Sequence, residues 1–252
     1  INDNAPKISS LPTFRADENQ TAIGQVEASD ADGDTLSYSI SSSDITIDSA
    51  TGTLTFLAPP DYETQSSYSA TVSVSDGLFS TSQQIAVSIG NLEDNPPVYT
   101  GANDFFVDEN QNNIGTVGAT DADGSDLTFT ISGSEISITG SSQPEENGNW
   151  PALLDFVSAP DYEQQTQYAA TIQISDGTLT TNAPINIFIN NLNDNTPLIT
   201  SGTTYNADEN QTAIGTVTAT DVDSDNITFS ISGSEINIDA NTGALTFAEA
   251  PD

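Results

Sequence analysis

The tripeptide Asp-Glu-Asn at Asp17 to Asn19 returns at Asp108 to Asn110 and again at Asp208 to Asn210, in steps of 91 and 100 residues. The Asp-x-Asp pairs Asp30/Asp32, Asp121/Asp123 and Asp221/Asp223 keep those steps, as do the Asp-Asn pairs that begin at Asp3, Asp94 and Asp194. A 252-residue chain with this internal period reads as a tandem array of units, not as one large fold. The pair Asp61/Glu63 of Asp-Tyr-Glu returns at Asp161/Glu163, and Asp252 falls 91 residues further on, so the order of steps reverses. That reversal places an insertion in the second unit near 140–151, where the first has only the tight turn Ala50-Thr51-Gly52.

Within each unit the apolar residues alternate. Tyr68, Ala70, Val72 and Val74 are separated by Ser and Thr, as are Leu36, Tyr38 and Ile40, and Ile85, Val87 and Ile89, and no segment shows a helical period. Strands with one apolar face bury it against a second sheet, so about seven such runs predict a two-sheet antiparallel sandwich, with a closed barrel as the alternative. Pro96-Pro97 and Thr196-Pro197 interrupt strand pairing after the Asp-Asn pairs. The expected units are therefore 1–96, with 1–6 as a linker from a preceding unit, then 97–196 and 197–252. The third lacks its last two strands and is not expected to fold alone. Because the chain starts at Ile1, it is taken as a piece of something longer, and the lack of a signal pattern says nothing about export.

Thirty-seven acidic residues face two basic ones, Lys7 and Arg15, for a net charge of -35. Nucleic acid and direct membrane insertion are thereby poor fits, whereas cations are natural partners. The chain has no Cys, His or Met, which removes disulfides, imidazole catalysis and soft metal ligands. Any metal must be held by oxygen, and Ca²⁺ takes six to eight oxygens from carboxylates, amides and carbonyls.

The linkers Ile89-Gly90-Asn91-Leu92-Glu93-Asp94-Asn95-Pro96-Pro97 and Ile189-Asn190-Asn191-Leu192-Asn193-Asp194-Asn195-Thr196-Pro197 resemble the Asp-x-Asn-Asp-Asn-x-Pro linker of cadherin repeats. Together with Asp-Glu-Asn, Asp-x-Asp, Asp-Tyr-Glu and the late Asp-Gly at Asp76 and Asp176, the resemblance covers essentially the whole chain. It implies an all-β chain of tandem seven-stranded Greek-key, immunoglobulin-like β-sandwiches joined by short linkers, with calcium at each junction.

Carried over by position, the resemblance gives the first junction Glu18, Asp61 and Glu63, the linker residues Asn91, Leu92, Glu93, Asp94 and Asn95, and Asp121, Asp123 and Asp176. Three ions are implied there. The second junction receives Glu109, Asp161, Glu163, Asn191, Leu192, Asn193, Asp194, Asn195, Asp221 and Asp223. Its late Asp would lie beyond Asp252, so its outermost site is expected to be impaired. At the amino end Asn2, Asp3, Asn4, Asp30, Asp32 and Asp76 are expected to hold one ion.

Asn91 and Asn191 stand where the family has Asp, which should weaken the site shared by two ions, and Glu93 replaces a linker Asn. Eight carboxylates at the first junction roughly match the +6 of three Ca²⁺, and without ions they should repel and slacken the linker. The plainer reading is that such acids are solvated turn residues, which suits Asp104, Glu145 and Glu146 outside the motifs.

The leading expectation is a calcium-rigidified extracellular spacer or adhesion segment of a large, bacterial or marine, cell-surface protein. A second is a module that binds surface glycans or another cell-surface protein through the Trp150 loop or exposed sheet edges. Trp150 either stacks on a ligand or packs over a sheet edge. An enzyme with paired carboxylates is the third class, disfavoured because the acids recur at every junction and no pocket motif exists. Strand swapping by an amino-terminal Trp is unsupported, since no Trp lies near Ile1.

Overall fold

The computed structural model describes residues 1–252 and contains strands but no helix. The first repeat carries β1 (Lys7–Ile8), β2 (Thr13–Asp17), β3 (Ala22–Gln25), β4 (Ala28–Ser29), β5 (Ser37–Ser41), β6 (Ile45–Ile47), β7 (Thr53–Phe56), β8 (Ser67–Ser75) and β9 (Ser80–Gly90). One sheet runs β2-β9-β8-β5, with β2 parallel to β9 and the other pairs antiparallel. The facing layer is β3-β7-β6 with the short pair β1-β4 beside it. Counting β1/β2 and β3/β4 as interrupted single strands gives the expected seven.

The alternating pattern decides the packing. Ala70, Val72 and Val74 of β8 and Ile85, Val87 and Ile89 of β9 point inward and meet Ile45, Leu54 and Phe56 from the other sheet. Their Ser, Thr and Gln neighbours line the outer face, as period two requires. Gly24 sits at a register shift between β3 and β7 with φ 155°, and a Cβ there would come within 3.2 Å of the Phe14 ring.

The second repeat repeats this plan with β10 (Val98–Tyr99), β11 (Asp104–Asp108), β12 (Asn113–Thr120), β13 (Thr128–Ile131), β14 (Ile136–Gly140), β15 (Trp150–Phe156), β16 (Gln167–Ser175) and β17 (Thr180–Asn190). Its sheets are β11-β17-β16-β13 and β10-β12-β15-β14. The insertion is the loop between β14 and β15, closed by bonds such as Glu145 N–H to the Asn149 carbonyl at 2.7 Å. Of the two expectations for Trp150, packing against the sheet is the one observed. The residue is not an exposed loop aromatic but the first residue of β15, paired with Ala119, only 7% exposed and part of the core with Ile174 and Ile185.

The third repeat has β18 (Leu198–Ile199), β19 (Ala213–Thr216), β20 (Ala219–Thr220), β21 (Ile236–Ile238) and β22 (Ala244–Phe247), arranged as β18-β20 and β19-β22-β21. These correspond to one layer of the sandwich. Leu245 is its only buried hydrophobic side chain. Between repeats, β9 ends at Gly90 and β10 begins at Val98, while β17 ends at Asn190 and β18 begins at Leu198.

Candidate metal centre

Each junction is assembled from three loops and a linker. Glu18 follows the end of β2 and is buried to 2% exposure. Its Oε1 accepts the Leu92 N–H at 2.7 Å and its Oε2 accepts the Tyr62 N–H at 2.8 Å. One carboxylate therefore ties the start of the linker to the Asp-Tyr-Glu loop. Glu109 does the same for Leu192 and Tyr162, both at 2.8 Å. Carboxylate oxygens of Glu18, Asp61 and Glu63 lie within 4.8 Å of one another, as do those of Glu109, Asp161 and Glu163, and those of Glu63, Asp94 and Asp123.

Asp123 reaches back from the second repeat to grip the linker. Its Oδ2 accepts the N–H groups of Asp94 (3.1 Å) and Asn95 (2.9 Å), and its Oδ1 accepts the Asn95 amide at 2.9 Å. The Asn95 amide also donates to Asp94 at 2.8 Å and Glu63 at 3.3 Å. Asp223 holds Asp194 and Asn195 in the same way, at 3.2 and 2.8 Å. At the amino end Asp32 holds Asp3 and Asn4, both at 2.9 Å.

The Asp-x-Asp turn and the late Asp divide their two oxygens between separate tasks. Asp76 Oδ1 caps its own turn by accepting the Leu78 and Phe79 N–H groups at 2.7 Å, and Asp176 Oδ1 accepts those of Thr178 and Leu179 at 2.6 Å. Asp30 Oδ1 accepts the Asp32 N–H at 2.8 Å, and Asp121 Oδ1 accepts the Gly124 N–H at 3.1 Å. The second oxygen of all four, together with Asn2 Oδ1, is buried without any hydrogen-bond partner. Buried oxygens left unpaired are costly, and a hard cation is the partner that their chemistry fits.

The electrostatics follow from this crowding. Lost hydration, reinforced by the Glu18 and Asp123 charges, raises the Glu63 carboxyl, and the same arrangement with Glu109 and Asp223 raises Glu163. Asp121 is raised by lost hydration and by Asp123 and Asp176. Asp123 falls below its ordinary value because the Asn95 side chain and N–H outweigh its own loss of hydration, and Asp223 is lowered first by the Asn195 side chain.

Asn91 and Asn191, neutral where the resemblance implies Asp, point their amides at main-chain carbonyls, donating to Asp123 O at 2.9 Å and Asp223 O at 2.8 Å. Leu92 and Leu192 enter through their N–H groups. Asp221 caps Asp223 N–H at 2.9 Å, and Asn193 stands exposed in the linker.

Four residues join the junctions without having been assigned a role from the motifs. Asp34 joins Asp30 and Asp32 in one cluster, a continuation of the Asp-x-Asp alternation that the sequence does display. Ser125 donates its hydroxyl to both Glu93 oxygens, at 2.6 and 2.7 Å, and nothing about a lone serine signals this. Asn19 and Asn110 donate their amides to Asp94 and Asp194.

Fold and junctions together define a protein of tandem β-sandwich repeats joined by acid-lined linkers. Residues 12–90 match the family model for the Cadherin domain, and the chain belongs to the cadherin-repeat family. Mouse Protocadherin Fat 4 is 32% identical over 213 residues, covering 78% of this chain and 4% of that protein. Chitinase A of Pseudoalteromonas piscicida is 26% identical over 191 residues, covering 75% of this chain and 22% of that protein. Among solved structures, mouse Cadherin-23 EC22-24 aligns with a TM-score of 0.77 at 20% identity, over 98% of this chain and 89% of that one. The Protocadherin GammaB4 extracellular domain aligns with a TM-score of 0.78 at 22% identity, over 100% and 45%. The chain thus spans a minor part, 22% or less, of the first curated relatives it matches.

Proposed function

We propose that this chain is a calcium-stiffened extracellular spacer or adhesion segment of a larger surface protein, with Ca²⁺ held at the repeat junctions. The observation that carries this reading is the set of buried, unpartnered oxygens on Asn2, Asp30, Asp76, Asp121 and Asp176, with Asp30 and Asp121 each clustered with two further carboxylates. At the first junction Glu18, Asp61, Glu63, Asp94, Asp121, Asp123 and Asp176 would supply the oxygens. The ions neutralise like charges that face one another from two repeats and so remove hinge freedom. Binding to the folded state alone also adds stability by mass action. Calorimetric calcium titration with small-angle scattering tests this: calcium should raise the melting temperature and lengthen and narrow the distribution of end-to-end distances. An unchanged scattering profile and melting curve in calcium and in EDTA would sink the reading.

A second reading concerns surface glycans. Burial of Trp150 takes that ring out of consideration, but Phe106 on the edge strand β11 is 71% exposed and stacks on Phe188 with centroids 5.2 Å apart. Asp104–Asn186 and Asp108–Asn190, hydrogen-bonded at 2.8 and 2.9 Å, flank the pair along the same two strands. An apolar ring between hydroxyl-binding groups suits a neutral sugar, and chitinase A is among the similar proteins. Retention of the chain on chitin or neutral glycan beads, lost in Phe106→Ala, would support it; equal passage of both proteins would remove it.

A further inference from the structure

A cavity of about 410 Å³ opens beside the Asp-Tyr-Glu loop of the second repeat, with Glu135 ahead of β14 on one side and Tyr168 of β16 as a wall. That volume is in the range of small-ligand sites. The turn beneath it spends amide donors internally. Gln164 gives a side-chain N–H to Asp161 Oδ2 at 2.6 Å, and Gln165 gives one to the Gln167 carbonyl at 2.9 Å. Both amide oxygens are left over as acceptors. Glu135 is tied only through its main-chain carbonyl, which accepts the Val157 N–H at 2.9 Å, and its exposed side chain keeps a free carboxylate. Tyr168 is half-buried, with its ring edge-to-face on Phe156 at 4.9 Å and 64°. Lost hydration, and then the Glu135 and Asp161 charges, raise its phenol, so both carboxylates lie close enough to act on it. The cavity thus combines an aromatic wall, a free carboxylate and two amide oxygens, and no basic side chain lines it. The first repeat keeps the surrounding fold without this set. Tyr68 packs on Phe56 in the same way, at 5.0 Å and 63°. Asp44, one methylene shorter than Glu135, stands in its place and accepts the Ser43 hydroxyl at 2.6 Å. Thr64 stands where Gln164 does and gives its hydroxyl to Asp61 at 3.1 Å.

We propose that this cavity of the second repeat binds the guanidinium group of an arginine side chain carried by a partner protein. A guanidinium is planar, carries N–H donors and has no acceptor, so it matches a carboxylate and two amide oxygens that still lack donors. Its flat face stacks on an aromatic ring, and Tyr168 supplies one. A lysine ammonium is a compact point charge that can satisfy the Glu135 carboxylate but cannot also lie flat on the ring. An anionic ligand would meet Glu135 with no basic side chain to offset it. The chain as a whole, at -35 with two basic residues, draws basic partners to its surface, and the cavity selects the arginine among their side chains. The inference goes beyond the spacer reading, because Glu135, Gln164, Gln165 and Tyr168 are not calcium ligands there.

The probe is a short arginine peptide with blocked ends, compared with its lysine and citrulline counterparts. Each is titrated into the full chain in excess calcium and followed by NMR at the side-chain amides of Gln164 and Gln165. The arginine peptide should bind in the millimolar range, the lysine peptide severalfold more weakly and the uncharged citrulline peptide not measurably. Glu135→Gln should weaken arginine binding about tenfold, since the charge-assisted bond is lost. Tyr168→Leu should weaken it about fivefold, whereas Tyr168→Phe, which keeps the ring, should weaken it far less. The double variant Glu135→Asp/Gln164→Thr copies the first repeat, whose fold tolerates those residues, and should abolish binding. Equal binding of the arginine and citrulline peptides, or an unchanged affinity in Glu135→Gln, would overturn the site. Shifts spread over the acidic surface with none at Gln164 and Gln165 would overturn it too, by reducing the effect to general charge attraction. Lysine binding as tight as arginine would overturn the guanidinium assignment. A chain that ignored calcium would defeat the spacer reading and leave the arginine titration still readable.

Discussion

The Asn19 side-chain amide donates to the carboxylate of Asp94, 75 residues further along the chain, and Asn110 makes the same bond to Asp194. Both asparagines sit in the left-handed region, with φ of 62° and 63°, and both donate their own N–H to a proline carbonyl, Pro60 at 3.0 Å and Pro160 at 2.9 Å. Asparagine tolerates that backbone better than most residues, and here it brings a donor to the linker. Asp94 is thus held from one repeat by Asn19 and from the next by Asp123, a chain of hydrogen bonds that needs no ion. Asn19→Gly keeps the backbone and deletes the donor. Hydrogen exchange at the Asp94 and Asn95 amides in EDTA should quicken about five- to tenfold, while core amides such as that of Val72 keep their rates. Unchanged linker exchange would remove the tether.

Glu18 has a structural task as well as a proposed ligand task, because it accepts N–H groups from both Leu92 and Tyr62 inside a nearly closed environment. Glu18→Ala leaves both donors unpaired and should cost about 2–4 kcal/mol of stability in metal-free protein, whereas Glu18→Gln keeps one acceptor and should cost less. Urea denaturation in EDTA separates the two. If both variants lose stability only when calcium is present, Glu18 is a ligand and not a structural tie.

Trp150 shows where the sequence stops being informative. Period-two alternation placed the strands of the first two repeats, and phased acids marked the loops that meet at each junction, because both signals are local and repeated. The insertion at 140–151 breaks the register, so which face of β15 receives Trp150 depends on the residue at which the loop closes, which only the pairing with Ala119 reveals. The Ser125–Glu93 bond joins segments 32 residues apart and carries no pattern of its own, and although Asn19 and Asp94 both stand in phased motifs, the phase does not say that they meet across 75 residues. Burial of Trp150 against Ile174 and its neighbours predicts blue-shifted emission poorly quenched by acrylamide, and Trp150→Ala should destabilise the second repeat by about 3–5 kcal/mol. Strongly quenched emission would return the ring to the surface.

The junction carboxyls also set the pH dependence. Glu63 and Glu163 lie above their ordinary value of 4.5 in the folded, metal-free chain, so the folded state holds more protons there than the unfolded state does. Their contribution to stability is complete below 4.5 and is lost as pH rises through the folded value. Asp123 and Asp223 lie below 3.8, so theirs is present above 3.8 and lost as pH falls through the folded value. In EDTA these four groups should therefore stabilise the fold best between 3.8 and 4.5 and progressively less toward neutrality. Calcium requires ionised carboxylates, so in its presence the slope should invert, with stability rising toward neutral pH as protons leave the site. Melting curves across this range, with and without calcium, give the two slopes directly. The Glu63→Gln/Glu163→Gln variant should flatten the metal-free decline, and an unaltered decline would place its origin outside the junctions.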